Sequence, residues 1–125
     1  MSAISQKSQE SKTVGEYVEK LIQENPIMIF SKSYCPYCKK AKGIFETLNV
    51  KYKAIELDNN PDQFDGKDIQ NYLKIKTKQG TVPNIFINSE HIGGSDDLSD
   101  ANENGTLKEK LANPKKNSES QSTDI

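Results

Sequence analysis

The sequence predicts an α/β domain built on a four-stranded mixed sheet with helices on both faces. Three observations carry this. Apolar periodicity alternates helix, strand, helix, strand through the first half of the chain, the order of parallel strands joined by a right-handed crossover. The run Ile27-Met28-Ile29-Phe30 is continuously apolar and of strand length, as a strand buried on both faces requires. Two short apolar stretches near the end are separated by Asn88-Ser89 alone, the spacing of a hairpin.

The elements follow in order. Thr13-Val14-Gly15-Glu16 has capping-box spacing, and Val14, Tyr17, Val18, Leu21 and Ile22 form a helical stripe behind it. Asn25-Pro26 stops that helix, because the residue before proline is steered out of helical geometry. After the 27–30 strand and a polar loop, Pro36 opens a second helix with Ala41, Ile44, Phe45 and Leu48 inward, ending near Asn49. Residues 51–57 read as a strand and 68–74 as a helix with Ile69, Tyr72 and Leu73 inward. Residues 84–87 and 90–92 make the hairpin, broken by Gly93-Gly94. A helix over about 96–104 ends at Gly105, and Leu107 and Leu111 suit one last short helix.

A chain of 125 residues accommodates one domain. Residues 1–12 and 113–125 are rich in Ser, Gln, Lys and Asn and nearly devoid of large apolar side chains, so both are expected to be disordered around a domain over 13–112. Net charge is −1, and all 17 basic residues are lysine. No global field therefore favours nucleic acid or anionic lipid, and bidentate arginine contacts to guanine or phosphate are excluded. No apolar run reaches membrane-spanning length. With no secretory hydrophobic segment and no arginine-rich presequence, the expected setting is cytoplasmic, the chain a monomer, and stable structural disulfides out of place.

The cysteines stand at 35 and 38, separated by Pro-Tyr, where a buried strand ends and a helix begins. Cys35 then lies beside unpaired helix N–H groups and the positive end of the helix dipole, which stabilises a thiolate, and Lys32, Lys39 and Lys40 add positive charge. Cys35 is expected to be exposed at the loop tip as the nucleophile, with Cys38 one turn inside to close a disulfide. A structural disulfide spanning two residues would constrain little chain. A structural zinc site needs four ligands, and the chain holds two Cys and the distant His91, so no metal site is expected. Incidental burial of two cysteines is the remaining alternative, against which the strand–Cys-x-x-Cys–helix context speaks.

Two further segments bear on the same chemistry. Pro83 in Thr81-Val82-Pro83 belongs at the first residue of a strand, often after a cis bond; beside a Cys-x-x-Cys pair it suggests a Val82 backbone edge free to pair with an extended peptide. Gly93-Gly94-Ser95-Asp96-Asp97 allows close backbone approach and presents a helix N-terminus to an anion, with Asp96 available to an ammonium group. Plain helix capping by Ser95 or Asp96 explains the same residues, and both readings can hold together. His91 reads as a surface strand residue, and Asn104-Gly105-Thr106 as a formal glycosylation sequon without consequence in the cytosol.

Cys35-Pro36-Tyr37-Cys38, Thr81-Val82-Pro83 and Gly93-Gly94-Ser95-Asp96-Asp97, in that order, resemble the dithiol glutaredoxins over about residues 14–111. The resemblance implies a thioredoxin-like fold and a groove for glutathione, a co-substrate rather than a permanently bound cofactor. It implies that the glutathione sulfur bonds to Cys35, that the glutathione backbone pairs with Val82 in the Thr81-Val82-Pro83 segment, and that its glycine carboxylate meets Lys32 and Gln70. Its γ-glutamyl end would meet Gly94, Ser95 and Asp96, with Tyr37 along one wall. Where many relatives carry Arg or Lys before Thr-Val-Pro, this chain has Gly80, which places more weight on Lys32. The implied partners are glutathionylated or disulfide-containing proteins, and the implied potential is about −200 to −230 mV. A thioredoxin-like reductase fed by a flavoprotein fits Pro36-Tyr37 and the Gly-Gly-Ser-Asp segment poorly. An iron–sulfur carrier, built from Cys35 of two chains and two glutathiones, is the non-enzymatic alternative.

Overall fold

The computed structural model describes residues 13–59 and 64–112, so the disorder expected for the two ends falls outside the described residues. Thr13 caps helix α1 (Val14–Glu24), its Oγ1 accepting the Glu16 N–H at 3.1 Å. Asn25 closes the helix by donating from Nδ2 to the Leu21 carbonyl at 2.8 Å, and Pro26 leads into strand β1 (Ile27–Ser31). All five residues of β1 are buried; the burial of Ile27–Phe30 follows from the unbroken apolar run, whereas Ser31, expected in the polar loop, extends the strand in register with Glu56.

Helix α2 (Pro36–Thr47) follows, then strand β2 (Lys53–Glu56), a 3-10 turn (Leu57–Asn59), helix α3 (Gly66–Thr77), the hairpin of β3 (Asn84–Ile87) and β4 (Glu90–Gly93), and helices α4 (Ser95–Asn104) and α5 (Thr106–Ala112). The sheet order is β2-β1-β3-β4, with β1 parallel to β2 and antiparallel to β3, and β3 antiparallel to β4. The alternating faces of β1 feed two cores. Met28 and Phe30 pack with Tyr17, Val18 and Ile22 of α1, Ile69 and Leu73 of α3, and Phe86. Ile27 and Ile29 pack with Ala41 and Phe45 of α2, Leu98 of α4, Leu107 of α5, and Ile85 and Ile87. Helices cover both faces, and the mixed sheet stands as expected.

Several boundaries move for identifiable reasons. β2 ends at Glu56 because Leu57 leaves the strand direction to enter the first core, where it is buried. α3 runs about one turn beyond its apolar stripe, which ends at Leu73, and closes on Lys78 in the left-handed region (φ 69°), not on glycine. Its first residue lies so close to the Leu57 carbonyl that a Cβ on Gly66 would overlap it, which explains the glycine there.

Candidate active site

The loop leaving β1 turns at Lys32, whose carbonyl accepts the Cys35 N–H at 3.1 Å, and Cys35 then serves as N-cap of α2. Its backbone is extended (φ −87°, ψ 115°), and its Sγ accepts the Cys38 N–H at 3.1 Å. Pro36 takes the first helical position, where a missing N–H costs nothing. The sulfur therefore sits over the positive end of the helix, a location that stabilises negative charge.

Cys35 is not exposed at a loop tip as expected: it is 8% exposed and Cys38 is fully buried. The reason lies across the cleft, where the Val82 carbonyl stands 3.8 Å from the Cys35 Sγ and covers it from that side. Both thiols are free. Burial pushes the Cys38 thiol up to about 11, the hydrogen bond to the Cys35 sulfur adds to this, and the Lys32 backbone N–H and Ser31 hydroxyl oppose it. At neutral pH Cys38 is a thiol, and it must lose a proton before it can attack.

Tyr37, Thr81, Val82, Pro83, Gly94, Ser95 and Asp96 together line one cleft of about 440 Å³, which Gln79 and Asp97 complete. The Val82–Pro83 bond is cis. Lys32 and Gln70 fall outside that cleft and line a neighbouring depression of about 400 Å³ with Leu57, Asp58, Asp65, Gly66 and Lys67. The Gln70 Nε2 donates to the Gly80 carbonyl at 2.7 Å, tying the floor of this depression to the loop that precedes Val82. Asp58 is held below the usual carboxylate range by the Ser33 hydroxyl and N–H, with the Lys32 charge contributing.

At the far end of the cleft the capping expectation is corrected. Gly94, not Ser95 or Asp96, is the N-cap of α4; its N–H donates to Asp97 Oδ2 at 3.0 Å, and its carbonyl accepts the Leu98 N–H. Because Asp97 performs the capping, the Ser95 Oγ is buried with no hydrogen-bond partner among the described residues, and Asp96 is exposed on the first turn. A buried, unpartnered hydroxyl in a cleft wall is a polar position ready for a ligand.

Sequence reasoning missed Gln79. Its Nε2 donates to the carbonyls of Thr81 (3.2 Å) and Pro83 (3.0 Å), clamping the loop that faces Cys35. Adjacency to Thr81-Val82-Pro83 was the available signal. Also missed was a polar group joining β1, β2 and α2: the Ser31 Oγ donates to Glu56 Oε1 at 2.9 Å, and Lys42 Nζ donates to Glu56 Oε2 at 2.6 Å. His91 is not a free surface residue; it is half-buried, its Nε2 is 2.8 Å from Asn84 Oδ1, and burial lowers its pKa.

Comparison with known proteins converges on one family. Residues 27–92 match the family model described as Glutaredoxin. The chain is 54% identical over 99 residues to glutaredoxin-1 of Rhizophagus irregularis, covering 79% of this chain and 95% of that protein. It is 47% identical over 104 residues to glutaredoxin-2 of Schizosaccharomyces pombe, covering 83% of this chain and 92% of that protein. Among solved structures, the buckwheat glutaredoxin–glutathione complex aligns with a TM-score of 0.74 at 39% identity, over 79% of this chain and 87% of the other. Wheat glutaredoxin aligns with a TM-score of 0.75 at 42% identity, over 81% and 92%.

Proposed function

The chain belongs to the glutaredoxin family of thioredoxin-fold redox enzymes, and we propose that within it the protein is a dithiol enzyme that uses glutathione to reduce protein–glutathione mixed disulfides and protein disulfides. The observation that carries this reading is the asymmetry of the two cysteines. The Cys35 sulfur caps the helix and faces the carbonyl of Val82, a residue of the cleft wall, whereas Cys38 is fully buried and held as a thiol.

In the first step the Cys35 thiolate attacks the glutathione sulfur of a mixed disulfide. The protein thiolate leaves and takes a proton from solvent, and Cys35 carries glutathione. The thiolate of a second glutathione then attacks that adduct, releasing glutathione disulfide and restoring Cys35. With a protein disulfide, the Cys35 thiolate attacks one substrate sulfur, releasing the other as a thiolate and forming a mixed disulfide; Cys38 then gives up its proton and attacks the Cys35 sulfur, releasing the second substrate thiolate and leaving a Cys35–Cys38 disulfide. Two glutathiones return it to the dithiol.

The cleft supports the glutathione assignment. Val82 lies opposite the sulfur and offers backbone to a peptide, while the unpaired Ser95 hydroxyl, Gly94 and Asp96 suit the charged γ-glutamyl end. Tyr37, Thr81 and Pro83 supply the walls between. The glycine carboxylate goes to Lys32 and Gln70, which line the second depression. The proposal includes a reducing, cytoplasmic setting, where such a pair cycles rather than remaining closed, and a monomer as the working unit. The test is glutathione-dependent reduction of a small glutathione mixed disulfide, coupled to glutathione reductase and NADPH. Turnover that saturates in glutathione is expected; NADPH consumption no faster than without the protein would refute the reading.

A further inference from the structure

The cleft wall that faces Cys35 belongs to a loop, residues 78–83, between the end of α3 and the start of β3. Among the described residues, the backbone groups of 79–83 form no hydrogen bond to other backbone, so the polar restraints on this wall come from side chains. Gln79 supplies two of them. Its Nε2 donates to the Thr81 carbonyl at 3.2 Å and to the Pro83 carbonyl at 3.0 Å, one on either side of Val82. Two carbonyl oxygens can share only a donor, which fixes the orientation of the amide. The Val82 carbonyl between them is left out of this pair and stands 3.8 Å from the Cys35 Sγ. Gln79 is in turn held at both ends of its own backbone. Its N–H donates to Thr77 Oγ1 at 3.0 Å, and its carbonyl accepts Asn84 Nδ2 at 3.3 Å. Asn84 is buried at the first position of β3, so this anchor is part of the sheet. The amide nitrogen also lies 3.9 Å from where a Cβ on Gly94 would stand, which puts Gln79 where the loop meets the α4 wall of the cleft.

We infer that Gln79 is a positioning residue that makes the site selective for glutathione. By holding the carbonyls of Thr81 and Pro83, it aims the Val82 backbone at the peptide groups that flank the glutathione sulfur. Glutathione carries an amide on each side of its cysteine, so an edge held in place can pair with it as one strand pairs with another. A single cysteine has charged ends at those positions and offers no such pair. The same hold keeps the Val82 carbonyl over Cys35. A loosened loop therefore does two opposite things: it loses the pairing edge, and it uncovers the sulfur. Gln79 acts through Val82 and not on the reacting sulfurs, and Thr77 and Asn84 fix Gln79 before any ligand arrives.

This inference rests on the glutathione reading above, and the experiment separates the two. The reduced protein and its Gln79→Ala and Gln79→Glu variants are each mixed with one peptide, carried as its glutathione or its cysteine mixed disulfide. Release of the peptide thiol is followed in a single turnover over a range of peptide concentrations. Gln79→Glu keeps the shape of the side chain and sets carboxylate oxygens against the two carbonyls. In both variants the second-order rate constant for the glutathionylated peptide is expected to fall about tenfold, while that for the cysteinylated peptide changes by less than about threefold. Iodoacetamide should label Cys35 about threefold faster or more as the Val82 carbonyl moves away, with Cys38 still spared. Equal losses on the two peptides, an unchanged preference, or Cys35 labelling no faster than in the wild type would each overturn the assignment. Label on Cys38 would show that Gln79 holds the fold as a whole, and would overturn it too. A wild type with no preference for the glutathionylated peptide would overturn the glutathione reading, and this assignment with it.

Discussion

Replacing Gly93 with alanine should damage the far end of the cleft without touching a cysteine. Gly93 has φ +122°, a backbone region that residues with a side chain rarely enter, and forcing alanine there costs about 1–3 kcal/mol. Space is lacking as well. A Cβ on Gly93 would overlap Asp97 Oδ2 and stand 2.8 Å from its Cγ, so Asp97 must swing away. Asp97 is the group that caps α4 by accepting the Gly94 N–H, and losing such a cap costs about 0.5–2 kcal/mol. Together the loss is about 3 kcal/mol, which for a urea m-value of about 1–3 kcal/mol/M lowers the midpoint by about 1–3 M. Gly94→Ala is the control. Its φ is −104°, and a Cβ there meets the Pro83 carbonyl at 3.6 Å and Gln79 Nε2 at 3.9 Å, ordinary contacts. It should cost about 1 kcal/mol, the disadvantage of alanine at an N-cap, while narrowing the cleft and raising KM for glutathione. Equilibrium urea unfolding of both variants by circular dichroism decides the matter. A Gly93→Ala midpoint equal to that of Gly94→Ala would refute the reasoning.

The remaining expectations follow from the cysteine asymmetry, the Lys32 depression and one ion pair remote from the cleft. Cys35→Ser should abolish all activity, whereas Cys38→Ser should retain deglutathionylation and lose dithiol reduction; equal loss in both on a glutathionylated peptide would refute the assigned roles. Iodoacetamide at pH 7 should label Cys35 and spare the buried, protonated Cys38 in the native protein, with peptide mapping as the readout; two labels at equal rates would contradict it. Lys32→Ala should raise KM for glutathione several-fold, since a half-exposed lysine–carboxylate contact contributes about 1 kcal/mol; an unchanged KM would move the glycine carboxylate away from Lys32. Burial raises the Glu19 carboxyl, but hydrogen bonds from Lys76 and Tyr72, with the Lys76 charge, outweigh it and lower its pKa. A lowered carboxyl pKa stabilises the fold above the unfolded value of about 4.3 and ceases to as pH falls through the folded one. Urea midpoints of wild type should therefore drop more steeply below about pH 4 than those of Glu19→Gln, and parallel curves would contradict this.

What the sequence made legible was local or carried by motif. The Thr13 cap, the Asn25-Pro26 stop, the buried apolar run Ile27–Phe30 of β1 and the Asn84–Ile87 strand follow from short-range chemistry that tertiary contacts do not override. Three motifs far apart in the chain pointed to one cleft, and Tyr37, Thr81-Val82-Pro83 and Gly94-Ser95-Asp96-Asp97 line it, with the Cys35 sulfur 3.8 Å from the Val82 carbonyl. What was not legible depended on distances across the fold. The covering of Cys35 by Val82, 47 residues away, cannot be read from a Cys-x-x-Cys pattern, which by itself suggests an exposed tip. The Ser31–Glu56–Lys42 group joins a strand end, a second strand end and a helix, and as isolated residues these have no signature. The transfer of capping from Ser95 to Asp97 was hidden because either residue suits a helix start, and only the tight approach at Gly93 decides between them.

The most direct test of the central claim is to follow glutathione itself. The Cys38→Ser variant, reduced and freed of small thiols, is mixed with a glutathionylated peptide, quenched with acid and examined by intact mass spectrometry and peptide mapping. The account predicts that glutathione moves onto Cys35 while the peptide is released as a free thiol, because the Cys35 sulfur attacks the glutathione sulfur seated in the cleft. A peptide–Cys35 adduct with free glutathione, or glutathione remaining on the peptide, would contradict it.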